Sequence, residues 1–315
     1  MSKYLADNLV WGINLLLAIV GAPLLIGIIN KTKAFFAGRK GPRLLQFYYD
    51  LAKLMRKSAV YSSSTGWIFR IAPWGTLATA ILMLLLLPAA CSASPIAFTG
   101  DLVVFVYLAG MGRMLTVLAA METASAFEGM GASRECQFSI LAEGVLLTVL
   151  AALVMLTGKF NLSGCLTTLS INAWICGGTA LLFLAVAFYL VMLCENSRVP
   201  VDDPETHLEL TMIHEAMILD NSGADLAAIH YGAALKLWVF ISFLSTMVLP
   251  NMASTWLEVT LFYALMIVFT ISIGVVESVM ARYRFLKVPQ LLAGAFAVAV
   301  LSIVLLSIFG GEWTK

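Results

Sequence analysis

Eight apolar runs of about twenty residues decide what this chain can fold into. They cover 8–30, 68–90, 101–124, 137–157, 174–194, 232–252, 257–281 and 290–309. A helix rises about 1.5 Å per residue, so a run of that length matches the roughly 30 Å hydrocarbon thickness of a bilayer. Of the 315 residues, 61% are hydrophobic and 12% charged, more apolar surface than a soluble domain of this size can bury. The expected fold is an all-α polytopic membrane protein: a single membrane domain over 1–315, with about eight transmembrane helices.

Other classes are disfavoured by the same composition. A net charge of +1 argues against nucleic acid as a partner. The segment before the first run carries only Lys3 and Asp7, and the run lacks a cleavage site, so it reads as a span and not a signal peptide. Cys91, Cys136, Cys165, Cys176 and Cys194 form no CxxC or Cys/His cluster, so no redox centre held by this chain alone is expected.

Lys and Arg placement sets the expected orientation. Lys31, Lys33, Arg39, Lys40, Arg43, Lys53, Arg56, Lys57 and Arg70 cluster around the connection 31–67. Arg134, Arg198, Arg282, Arg284 and Lys287 fall on the same side if the spans alternate, with Lys3, Lys159 and Lys315 opposite. Both termini are therefore expected outside, with the connections 31–67 and 195–231 inside. Cys91 and Cys165 would then both lie outside, where an oxidising compartment permits a disulfide.

The two inner connections differ in character. In the basic one, Leu44, Phe47, Leu51 and Leu54 recur at helical spacing, with Asp50, Lys53, Arg56 and Lys57 elsewhere around the wheel. That predicts an amphipathic interfacial helix, started by Gly41-Pro42. The other connection holds Glu195, Asp202, Asp203, Glu205, Glu209, Glu215, Asp220 and Asp225 against Arg198. Asp203 can cap a helix whose first residue is Pro204. The carboxylates alternate with Leu208, Leu210, Met212, Ile213 and Met217, which implies burial. Clustered, poorly solvated carboxylates exchange protons near neutral pH. His207, His214 and His230 lie here too, but His214-Glu215 lacks the second His of a zinc-protease pattern, so no metal site is expected.

Charges also interrupt the runs. Arg113 sits near the middle of one, Glu143 within the next, and Glu122 near an inner end. An ionisable group at membrane depth costs from about 2.5 to over 10 kcal/mol unless partnered, and marks ion or proton pathways. At 1.5 Å per residue, Arg113 and Glu143 come within about one helical turn of each other in depth.

Glu195-Asn196-Ser197-Arg198-Val199-Pro200-Val201-Asp202, followed by Pro204-Glu205 and Glu209-Leu210, resembles the signature loop of the heel subunit of respiratory complex I. Gly41-Pro42, Gln46, Asp50 and Lys53 match that family's first inner loop. Arg134 with Glu143, and Glu277 with Ala281-Arg282, match later segments. Gly131-Ala132-Ser133-Arg134-Glu135, Gly100-Asp101-Leu102 and Ser64-Thr65-Gly66-Trp67-Ile68-Phe69-Arg70 are more similar to the membrane subunit of energy-converting [NiFe] hydrogenases, such as formate hydrogenlyase and hydrogenase-4. Met121 to Phe127 resembles that branch's Leu-Asp-Thr-Gly-Ser-Pro-Phe, with Glu for Asp and Ala for Gly and Pro, and His207 stands where complex I has a Glu; these departures argue against the quinone site of complex I.

The resemblance implies a non-catalytic subunit of a prokaryotic cell-membrane complex, coupling redox chemistry to proton or sodium translocation. It implies an ion-coupling path through Arg113, Glu122, Glu143, Glu195, Asp202, Glu205, Glu209 and Glu215. It implies peripheral-arm docking through Arg39, Arg43, Gln46, Asp50, Lys53, Arg134, Arg198 and Arg282. Implied partners are hydrogenase-like large and small subunits, iron–sulfur subunits, antiporter-like membrane subunits and the lipid bilayer. Iron–sulfur clusters and a nickel–iron centre would lie in partners, with no cofactor on this chain. The alternatives are a quinone-site heel subunit of a complex I-type dehydrogenase, a stand-alone secondary transporter, or a purely structural anchor with Arg113 and Glu143 as packing pairs.

Overall fold

A computed structural model describes residues 2–89, 92–202, 212–251 and 255–309. The helices in chain order are α1 (Ser2–Phe36), α2 (Gln46–Met55), α3 (Trp67–Leu86), α4 (Asp101–Glu122), α5 (Ala126–Thr157), α6 (Leu162–Thr167), α7 (Ile171–Glu195), α8 (His214–Met217), α9 (Gly223–Val248), α10 (Thr255–Val279) and α11 (Val288–Phe309). Among the described residues, eight helices are long and apolar enough to cross a membrane: α1, α3, α4, α5, α7, α9, α10 and α11. The chain is thus a multi-pass, all-helical membrane protein.

The bundle is built around α9. Of its most apolar stretch 72% is buried, against 28% for α10 and for α11, so α9 is the axis and the latter two face outward. Its Phe240 and Phe243 pack with Phe105 of α4 and Phe188 of α7; the Phe188 and Phe243 rings stack at 4.5 Å. Ser245 and Thr246 are fully buried, and their hydroxyls donate to the carbonyls of Ile241 and Ser242 one turn back. That local bond satisfies a polar group in an apolar core without an outside partner.

Three boundaries depart from the sequence reading, each because tertiary contact wins over local polarity. α5 begins at Ala126, leaving only Thr123–Ser125 between the third and fourth spans. The polar stretch before Gln137 is helical because it packs on the short α8: a Cβ on Gly131 would sit 2.9 Å from the Ile213 carbonyl. α9 begins at Gly223, nine residues before the apolar run. The amphipathic helix starts at Gln46, not at Pro42. Gly41-Pro42 instead forms the turn back onto α1. Gly41 has φ +63°, and a Cβ there would lie 2.3 Å from the Ala34 Cβ.

The amphipathic helix lies along protein. Leu44 meets Gly27 and the Tyr48 hydroxyl donates to the Val20 carbonyl, so α2 runs back along α1. Phe47 meets the His230 ring of α9 edge-on at 6.5 Å. Arg43, Gln46, Asp50 and Lys53 remain exposed.

The proposed capping pair Asp203 and Pro204 lies outside the described residues, as does Cys91 of the expected disulfide. Cys165 is a buried free thiol whose Sγ donates to the Lys159 carbonyl.

The serine-rich turn after α2 docks against the start of α9. The Val60 amide donates to Ser222 Oγ at 2.9 Å, and Gly223 adopts φ +57° with the Ser58 and Lys57 carbonyls 2.6 and 2.7 Å from where a Cβ would be. A left-handed conformation costs a residue with a Cβ about 1–2 kcal/mol before any clash. Gly223→Ala should therefore lower thermal stability of the purified protein by at least about that amount. Gly129→Ala, in an open helical position of α5, should be neutral or gain up to about 1 kcal/mol. Equal melting of the two variants in a thermal denaturation assay would contradict the docking of 57–60 on α9.

Candidate functional site: a buried charge chain beside a central cavity

Arg113 lies twelve residues into α4 and nine before its end, roughly 14–18 Å from either terminus. Its side chain is 9% exposed. Its Nη2 lies 2.5 Å from Glu143 Oε1 on α5, and its Nη1 lies 2.9 Å from Glu195 Oε1 at the end of α7. The second Glu195 oxygen is 3.0 Å from the Lys236 ammonium of α9, which also donates to the Glu195 carbonyl at 2.7 Å. Four helices thus supply a line of alternating charge: Glu143, Arg113, Glu195, Lys236. It sums to zero, which is what burial demands, since an uncompensated buried ion costs several kcal/mol. Neither Glu195 oxygen has a well-aligned hydrogen bond; the carboxylate is held by proximity to two cations.

The end of α7 explains why Glu195 reaches the middle of α4. The chain leaves the helix inside the protein, with the Arg198 amide bonded to the Leu193 carbonyl and residues 198–202 buried. Irregular backbone at membrane depth is tolerated where protein or a cavity surrounds it. Here it borders a cavity of about 260 Å³. Arg113, Glu135, Glu195, His214, Glu215, His230 and Lys236 line its polar side; Ile26, Phe47, Met83 and Leu108 line its apolar side. The start of the acidic connection, expected as an inner-face loop, is therefore folded inward.

Further pairs brace this wall. Glu277 of α10 is fully buried, 3.2 Å from Lys33 and 3.3 Å from Arg198. One oxygen of Asp202 meets Arg282 at 2.9 Å; the other accepts from the Ile213 and His214 amides at 3.3 and 2.9 Å. Asp202 so ties the two described ends around 203–211 to the α10–α11 connection. Arg134 donates to the Met212 carbonyl at 3.1 Å and sits 4.2 Å over the Phe285 ring.

Two wall residues outside the spans have altered acidity. Burial first, then the charge of Asp202, pushes Glu215 up to about 7, partly offset by Arg198. Burial, with His230, Lys236 and Arg198 nearby, lowers His214 to about 4, so its ring is neutral at physiological pH. Among the described residues no three His, Cys, Asp or Glu side chains converge as a metal site.

Of the expected path residues, Arg113, Glu143 and Glu195 meet directly, Glu215 lines the same cavity, and Asp202 stands behind it. Glu205 and Glu209 lie outside the described residues. Glu122 is elsewhere: its carboxylate accepts from the Phe69 amide at 2.6 Å, capping the N-terminus of α3. That satisfies an otherwise orphan helix donor. Of the expected docking residues, Arg39, Arg43, Gln46, Asp50 and Lys53 are exposed, whereas Arg134, Arg198 and Arg282 serve internal contacts. Lys236 and Glu135 escaped the sequence reading as members of the site. Lys236 carried the same signal as Arg113, a cation inside an apolar run. Glu128, also missed, is fully buried; it accepts from the Thr123 hydroxyl and from the Asp220 amide, fixing the turn before α9 to the start of α5.

Residues 10–308 match the family model described as NADH dehydrogenase. The chain belongs to that family. It is 32% identical to hydrogenase-4 component C of Escherichia coli strain K12 over 89% of this chain and 90% of the relative. It is 29% identical to formate hydrogenlyase subunit 4 of the same strain, over 90% of this chain and 93% of the relative. Its fold matches a chain of the membrane-bound sulfane sulfur reductase, an archaeal respiratory membrane complex, with a TM-score of 0.80 and 18% identity over 95% of this chain and 99% of that one.

A carboxyl group with pKa about 7 is protonated below that pH and ionised above it. Infrared difference spectra between pH 6 and 8 should show a protonated-carboxyl C=O band that bleaches as pH rises through about 7. Glu215→Gln should remove it. A band unchanged in Glu215→Gln would mean another group titrates there.

Proposed function

We propose that this chain is the coupling subunit of a complex I-like, energy-converting hydrogenase complex of the formate hydrogenlyase type. It docks the peripheral electron-transfer arm and passes redox-driven change there into proton or sodium movement. The iron–sulfur clusters and nickel–iron centre belong, in this reading, to the peripheral partners. The observation that carries it is the Glu143–Arg113–Glu195–Lys236 line beside the central cavity.

The chemistry follows from shared partners. Arg113 is divided between Glu143 and Glu195. Any shift of the 195–202 segment that loosens Glu195 from Arg113 changes the guanidinium's hold on Glu143. Asp202 holds that segment to the Ile213 and His214 amides and to Arg282, so a partner pressing on those residues has a mechanical route to Arg113. Glu215, titrating at about 7, offers a carrier near neutral pH on the cavity wall.

Two surfaces suit the partners. The exposed side of α2, with Arg43, Gln46, Asp50 and Lys53, faces away from the bundle and suits the peripheral arm. Glu143 is 38% exposed although it lies seventeen residues into α5. A carboxylate facing hydrocarbon is costly, which favours a membrane partner of the antiporter-like kind covering that face. The Lys/Arg bias supports a topology with both termini outside in the cell membrane.

A quinone-site heel subunit is the second reading. Family membership and the apolar side of the cavity favour it; the hydrogenase-4 and formate hydrogenlyase relatives, near full length, favour the first. A stand-alone transporter is disfavoured by relatives named as components and subunits of larger assemblies.

In the assembled complex, Glu143→Gln should keep electron transfer measurable while ion flux per electron in reconstituted vesicles falls severalfold. Arg113→Met should be worse, because it takes one of two cations from the buried Glu195 and leaves Glu143 without its partner. An unchanged flux ratio and rate in assembled Glu143→Gln would remove Glu143 from the path. For orientation, Ser62→Cys lies in an exposed turn and should resist impermeant thiol reagents added to intact cells. Labelling from outside would invert the topology.

A further inference from the structure

A second recess lies apart from the charge chain. The ends of α1 and α10 enclose an open groove of about 490 Å³, lined by Asn30, Lys33, Phe36, Arg39, Glu277 and Ser278 among others. Its lining holds Lys33 and Arg39 against Glu277, a net charge of +1, and the adjoining chain adds further cations. Residues 31–49 contain Lys31, Lys33, Arg39, Lys40 and Arg43 and no carboxylate. Glu277 is the acid in the lining, and both Lys33 and Arg198 hold it.

The rim is also pre-formed. The Arg39 amide bonds to the Ala34 carbonyl at 2.9 Å, the Gly38 amide to Phe35, and the Lys31 ammonium to the Lys40 carbonyl at 2.8 Å. Gly38 and Gly41 both have left-handed φ, which lets the loop fold this tightly on α1. The outer sides of the same helix ends are apolar: Phe35 is 80% exposed, Phe36 53% and Val279 72%. A basic recess set directly beside exposed aromatic and aliphatic surface fits an amphiphile with a negative head, and neither feature alone explains the other.

We propose that this groove binds the phosphate headgroup of an anionic phospholipid, with Arg39 as its principal contact and the acyl chains along Phe36 and Val279. The groove shares no residue with the Glu143–Arg113–Glu195–Lys236 line, although its Glu277 also holds Arg198 behind the cavity wall.

The test uses the full complex in native membranes, with p-benzoylphenylalanine at position 36 as a photocrosslinker. Adduct masses should correspond to anionic phospholipid, enriched over its share of the membrane relative to zwitterionic lipid. Arg39→Glu should cut the anionic adduct at least about fivefold, the scale of one basic residue near a membrane surface. Adducts from the same crosslinker at the exposed position 175 should not change. Where Arg39→Glu prevents assembly, Arg39→Gln gives the same reading. In detergent, short-chain phosphatidylglycerol should block the position-36 adduct, while inorganic phosphate at equal concentration should not. Adducts that mirror bulk lipid composition, or are unchanged in the Arg39 variants, would overturn the proposal. So would blocking by free phosphate, or loss of peripheral subunits from Arg39→Glu with lipid adducts intact.

Discussion

One carboxylate organises this molecule. Glu195 ends α7 inside the bundle, held between Arg113 of α4 and Lys236 of α9. Both cations need a counter-charge to stay buried, and Glu195 supplies it to both. With Glu143 added, two positive and two negative groups from four helices cancel. Losing Glu195 would leave Lys236 without its carboxylate and Arg113 with only the half-exposed Glu143. This dependence also fixes where α7 must stop, and so brings the 196–202 segment to membrane depth against the cavity.

A neutral line of charges is electrostatically stable yet easily perturbed. Arg113 holds Glu143 through Nη2 and Glu195 through Nη1, so both carboxylates share one guanidinium. The bracing pairs, Asp202 with Arg282 and Glu277 with Lys33 and Arg198, connect the same segment to α10, α1 and the inner connections. The aromatic packing of Phe105, Phe188, Phe240 and Phe243 is the stiff counterpart in the core.

The spans were legible because bilayer thickness imposes a length that hydropathy reveals directly. The Arg113–Glu143 pair was legible because helical rise converts sequence position into depth. The burial of Met212, Ile213 and Met217 was legible from their alternation with carboxylates. The contact of Glu122 was not legible because its partner, the Phe69 amide, is 53 residues away in sequence and is a backbone group that no side-chain pattern displays. The start of α5 was missed because its polar residues read as a loop, and only contact with α8 shows why they are helical. Lys236 and Glu135 were missed because one sits just inside a run and the other just outside, where neither depth nor partner is set locally. The lesson is that charge inside a span is readable, whereas the identity of its counter-charge is a property of the packing.

A double-mutant cycle on Glu195 and Lys236 tests the central interaction most directly. Unfolding or dissociation free energies of the purified complex would be measured for wild type, Glu195→Gln, Lys236→Met and the double variant. If the pair is mutually compensating, the double variant should lose less than the two single losses combined, by about 1–3 kcal/mol. Additive losses within about 0.5 kcal/mol would show that Glu195 and Lys236 are not coupled, and would contradict the charge chain as the element on which the structure depends.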